Sequence, residues 1–120
     1  MIGIIGGGFG LYAWLPALCE YYKTENIGIQ ERHKSKFESR PELQKYKDRI
    51  IWFGMVEELI DKAEFLILAI PPEETNLYLI SILRSTNLKR LIVEKPVCTT
   101  PELSEEFIKV VESIGIKVCS

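Results

Sequence analysis

Six short, nearly uninterrupted apolar runs, separated by longer stretches of mixed polarity, constrain this chain more than any other feature. They are Ile2–Ile5, Ile27–Gln30, Ile50–Phe53, Phe65–Ile70, Leu91–Glu94 and Ile116–Cys119. A strand with one wet face alternates apolar and polar residues, whereas a strand covered on both faces does not, so these runs predict a parallel sheet under helices. Leu11, Leu15, Leu18, Cys19 and Tyr22 recur at helical spacing, as do Leu103, Phe107, Val110, Val111 and Ile114. The second of these helices carries its own punctuation, with Thr100 to cap it, Pro101 at its first position and Gly115 at its exit. A shorter helix after Gly54 turns Val56, Leu59 and Ile60 inward, and another runs from about Thr75 to Leu83. Between Glu31 and Asp48 the pattern weakens to a helix over Lys34–Glu38 and an irregular link broken by Pro41. Strand–helix alternation throughout predicts an α/β fold: a doubly wound, mostly parallel six-stranded sheet in three layers, with right-handed crossovers. One domain over residues 1–120 accounts for the whole pattern, since 120 residues can bury a core without staples.

Charge and cysteine usage narrow the function classes. Fifteen basic and seventeen acidic side chains leave a net charge of -2, which argues against a nucleic-acid binder or an anionic-membrane binder. No apolar run has the roughly 20 residues of a membrane span, and Met1 leads directly into the first strand without a signal-peptide pattern. Cys19, Cys98 and Cys119 are far apart and form no metal-ligand spacing, so a reducing, cytoplasmic setting is expected, with all three as small buried apolar side chains and no metal.

Chemistry concentrates where strands end. Gly6-Gly7-Gly8-Phe9-Gly10 joins the first strand to the first helix. Bare backbone there lets a pyrophosphate approach, and the helix N-terminus supplies amide donors; the competing reading is a tight turn alone. The motif departs from G-x-G-x-x-G in having Leu11 at the third glycine and Gly10 one place early. Pro16 removes a helical donor and is expected to bend the helix. Glu31, about twenty residues on, suits a ribose 2'-hydroxyl and repels a 2'-phosphate, which favours NAD(H) over NADP(H); otherwise it is a solvated charge. Arg32, His33 and Lys34 beside it could instead neutralise a 2'-phosphate, and His33, the one histidine, is expected at the surface. Ile70-Pro71-Pro72 stiffens the exit of the fourth strand beside the switch point of the sheet, where ligands bind; the competing reading is plain loop chemistry. Glu94 and Lys95 together at a buried strand end require pairing with each other or with a ligand, and the lysine can donate to a substrate oxygen.

The glycine turn followed by Leu15-Pro16-Ala17-Leu18, then Ala69-Ile70-Pro71-Pro72, then Glu94-Lys95-Pro96, resembles the Gfo/Idh/MocA oxidoreductases across essentially the whole chain. The resemblance implies a Rossmann fold in which Gly6, Gly8, Phe9 and Gly10 lie against the pyrophosphate, and Glu31 and Arg32 against the adenosine. It places Ile70, Pro71 and Pro72 along the dinucleotide cleft and Glu94 near the nicotinamide ribose. Lys95 would then reach substrate and nicotinamide as the one catalytic residue present, with Pro96 setting the turn through a cis bond. Trp14 and Thr75 stand where the family often has histidine. The family continues into a second domain holding the substrate pocket and oligomer interface, which is absent from these 120 residues. The implied activity is hydride transfer involving a hydroxyl-bearing carbon of a sugar-like or cyclitol substrate, with the isolated domain inactive and its uncovered apolar surface prone to self-association. The alternative is a non-catalytic NAD(H)-sensing module; an S-adenosylmethionine domain leaves the Glu-Lys-Pro turn unexplained.

Overall fold

Parallel pairing sets the architecture. The computed structural model describes residues 1–120. Its strands are β1 (Ile2–Ile5), β2 (Ile27–Gln30), β3 (Ile50–Phe53), β4 (Phe65–Leu68), β5 (Arg90–Val93) and β6 (Lys117–Cys119). Every neighbouring pair is parallel, in the order β3-β2-β1-β4-β5-β6. Helices α1 (Leu15–Tyr21), α2 (Lys34–Glu38), α3 (Val56–Lys62), α4 (Leu79–Arg84) and α5 (Pro101–Glu112) fill the crossovers.

Two cores result because successive strand residues face opposite ways. Ile4 and Ile67 join Leu11, Leu15 and Leu18 of the first crossover, with Phe37, Leu43 and Tyr46 of the second. Ile5, Leu66 and Leu68 join Leu59, Ile82, Phe107 and Val111 on the other face. The central strands β1 and β4 are therefore buried on both sides, and this is why their sequences do not alternate. The edges differ. β3 is part-exposed, and in β6 both Lys117 and Cys119 reach solvent. Cys119 thus corrects the expectation of three buried thiols; Cys19 and Cys98 are buried, and burial pushes both thiols up from their ordinary value.

The helical segments hold three local adjustments. Pro41–Arg49 and Pro72–Tyr78 are 3₁₀ turns, each opened by a proline whose missing N–H costs nothing there. α5 begins as its sequence implies, with Thr100 Oγ1 accepting from the Leu103 N–H at 3.1 Å, and Gly115 beyond its end has φ +91°. The third adjustment surrounds Pro16. The expected mid-helix bend is instead a π-helical turn over Gly10–Trp14, after which α1 starts with Pro16 in its first turn. Pro16 cannot donate to the Tyr12 carbonyl, and its ring would crowd that oxygen. The chain responds by lengthening the loop, so that the Leu15 N–H reaches back five residues to Gly10.

Candidate functional site

The strands deliver their carboxyl ends to one edge of the sheet, and β1 and β4 are adjacent there although the chain leaves them in opposite directions. That is the switch point of a doubly wound sheet, where a crevice must open. A cleft of about 370 Å³ occupies it, lined by Gly6, Gly7, Gly8, Phe9, Arg32, Ala69, Ile70, Pro71, Glu74 and Glu94. Gly6, Gly8, Phe9, Arg32, Ile70, Pro71 and Glu94 are among the residues singled out from the sequence; Gly7, Ala69 and Glu74 are additions. Sequence spacing offered Gly7 only as part of a glycine run, and nothing distinguished Glu74 from Glu73.

Each glycine of the turn has its own reason. Gly6 has φ +127°, and a Cβ there would strike the Ala69 carbonyl oxygen, so both conformation and space require glycine. A Cβ on Gly7 would run into the His33 imidazole. Gly10 is buried against the Ile4 side chain, at 2.9 Å from an ideal Cβ, and serves helix–strand packing rather than the cleft lining. Gly8 alone faces open space, with no atom within 4 Å of a Cβ and no positive φ. The fold does not need glycine at that position. The backbone N–H groups of Gly8 and Phe9 find no backbone acceptor, while the Gly8 carbonyl takes the Leu11 and Tyr12 N–H groups to start the helix. Two free amides at a helix N-terminus, over bare backbone, are donors suited to an anionic ligand.

Around β2 the carboxylate and its neighbours separate. Glu31 is exposed at the rim, in a short 3₁₀ turn (Glu31–His33) rather than in the cleft lining, with Oε2 beside Gly54 at the end of β3. Arg32 turns into the cleft as its one basic lining residue. His33 corrects the expectation of a surface imidazole: it packs under Gly7, its Nε2 is buried without a partner, and burial, then Arg32 and Lys36, hold its pKa below 6.5.

Between β4 and β5 the expectations divide. Pro72 starts the 3₁₀ turn and lies outside the lining. The buried Thr75 hydroxyl donates to the Val97 carbonyl, tying the double-proline turn to the turn after β5. Glu94 is part-buried in the cleft wall, but Lys95 and Pro96 are exposed and outside the lining. No Glu94–Lys95 ion pair forms, contrary to expectation. Glu94 Oε1 instead accepts from the Trp14 indole Nε1 at 2.9 Å, 80 residues away in sequence. The strand ends at Val93, one residue earlier than anticipated, so the pleat aims Glu94 at the cleft and releases Lys95 into the turn. The Lys95–Pro96 bond is cis. Nowhere do three His, Cys, Asp or Glu side chains gather as a metal site requires, and no helix is long and apolar enough to cross a membrane.

Comparison with known proteins gives this geometry a family. No curated protein matches the sequence. Among solved structures, a dehydrogenase (MviM) from Clostridium difficile is 25% identical with a TM-score of 0.72, matched over 98% of this chain and 37% of its own. The WlbA dehydrogenase of Bordetella pertussis, in complex with NADH and UDP-GlcNAcA, is 16% identical with a TM-score of 0.72, over 98% of this chain and 35% of that one. A super-repressor mutant of Gal80p from Saccharomyces cerevisiae is 16% identical with a TM-score of 0.74, over 96% of this chain and 32% of that one. The chain therefore spans about a third of the length of the structures it resembles. The oxidoreductase family with an NAD-binding Rossmann fold matches residues 1–119, and the chain belongs to this Gfo/Idh/MocA family.

Proposed function

We propose that residues 1–120 form the dinucleotide-binding domain of an NAD(H)-dependent oxidoreductase acting on a hydroxyl-bearing carbon of a sugar-like or cyclitol substrate. The observation that carries this reading is Gly8, a glycine the fold does not require, placed with two free amides at the mouth of the switch-point cleft. The residues present suit the cofactor: the Gly8 and Phe9 amides would hold the pyrophosphate over Gly6, and Ile70 and Pro71 would form an apolar wall. Pro72 and Pro96 would stiffen the turns bounding that wall, while Gly10 would keep the helix close to the sheet. Arg32 would lie along the adenosine, and Glu31 would accept from its ribose hydroxyls. Glu31 supports NAD(H) over NADP(H), because a rim carboxylate repels a 2'-phosphate. When bound, the nicotinamide supplies hydride transfer. Lys95, exposed beyond Glu94, would donate to the substrate oxygen from a pocket completed by a second domain.

Fluorescence titration with NADH and NADPH tests the cofactor assignment, with at least tenfold tighter binding of NADH expected; a preference for NADPH would overturn it. A second reading, a dinucleotide-sensing module without turnover, shares every one of these contacts. Joining the chain to the second domain of a family member and assaying sugars and polyols separates the two, since turnover that Lys95→Met abolishes is expected only of an enzyme.

A further inference from the structure

We infer that Trp14 is a positioning residue of the cleft, anchoring one oxygen of Glu94 so that the other accepts from hydroxyls on the half of a dinucleotide lying over β4 and β5. The inference rests on the dinucleotide reading above. Glu94 lines the cleft, and its one hydrogen-bond partner is the Trp14 indole, at 2.9 Å. It forms no ion pair. An uncharged donor orients a carboxylate without neutralising it, and an indole N–H does not titrate, so the free oxygen keeps its strength as an acceptor. Trp14 is itself held firmly, half-buried and packed on the core beneath α1.

The π-turn has a purpose in this arrangement. Pro16 forces the wider loop over Gly10–Trp14, and Trp14 is the residue that this loop delivers toward β5. Such turns recur at functional sites because the additional residue redirects a side chain without ending the helix. The position of Glu94 then decides which part of a ligand it meets. Arg32 and Glu31 mark the adenosine side at the end of β2, and Glu94 stands three strand spacings away, roughly 14 Å. An adenine nucleotide ending at its phosphates does not reach it. A ligand with a second ribose does.

Calorimetric titration of the 120-residue chain with ADP, ADP-ribose and NADH tests this in wild type, Trp14→Phe, Glu94→Gln and the double variant. Phenylalanine keeps the aromatic packing and removes only the donor. Trp14→Phe is expected to bind ADP within twofold of wild type while losing about tenfold for ADP-ribose and NADH. The double variant is expected to bind no more weakly than Glu94→Gln alone, because Trp14 acts through Glu94. Unchanged affinity for ADP-ribose and NADH, equal loss for all three ligands, or additive losses in the double variant would each overturn the inference while leaving the dinucleotide reading intact. Wild-type protein that binds none of the three would overturn both.

Discussion

His33 shows how little a residue type says about its setting. A lone histidine between Arg32 and Lys34 reads as solvated, yet it supports the glycine turn from below with Nε2 buried. Burial and two nearby cations lower its pKa from 6.5, so the unfolded chain takes up a proton before the folded one does. Stability from this group is present above pH 6.5 and is lost as pH falls from there to the folded-state value. Urea midpoints at pH 7.5 and 5.5 are expected to differ more in wild type than in His33→Gln; equal differences would place His33 in solvent. Lys95 makes the opposite point. Sequence put it at a buried strand end, paired with Glu94 or with a ligand, but it is exposed and forms no ion pair, so Lys95→Met should leave the unfolding free energy from urea titration unchanged to within about 0.5 kcal/mol. A loss above 2 kcal/mol would restore the pairing with Glu94.

Elements were legible in the sequence where burial is two-sided and local, and much less so where distant contacts decide. The continuous runs of β1 and β4 fixed their identity because both faces are covered. The cap of α5 was equally plain, since Thr100, Pro101 and Gly115 act within a few residues of one another. Thr100→Ala should therefore cost about 1 kcal/mol and lower Tm by about 4 °C, measured by thermal circular dichroism. A Tm unchanged to within a degree would show that the Leu103 N–H finds water instead. The π-turn was illegible. Pro16 announced a disturbance, but its form depends on a helix that already starts at the glycine turn, and the Glu94 partner that Trp14 meets lies 80 residues away. For the same reason the Thr75–Val97 bond that joins two turns of the site could not be read from either turn alone.

At the scale of the whole molecule, a sheet with a core on each face leaves its chemistry on one edge, where seven of the twelve site residues anticipated from sequence converge. The other five either support that edge or stand outside it. Gly10 packs beneath, Glu31 sits at the rim, Pro72 opens a turn, and Lys95 with Pro96 faces solvent. On the proposed reading this open edge leaves the reacting carbon accessible to water, so steady NADH production from NAD and a panel of polyols by the 120-residue chain is not expected. Turnover on any of them would place the complete active site in this chain. Leu77 and Ile80 are 71% and 62% exposed on the segment that follows the double proline. Concentration-dependent association by analytical ultracentrifugation is expected, and Leu77→Ser with Ile80→Ser should reduce it; a monomer at all concentrations would show that this surface is inert. The most direct test of the dinucleotide site is calorimetric titration of NADH into wild type and Gly8→Val. Because a Cβ at Gly8 meets no protein atom, the variant should fold like wild type and yet bind at least a hundredfold more weakly. Wild-type affinity in the folded variant would mean that no ligand phosphate approaches this turn.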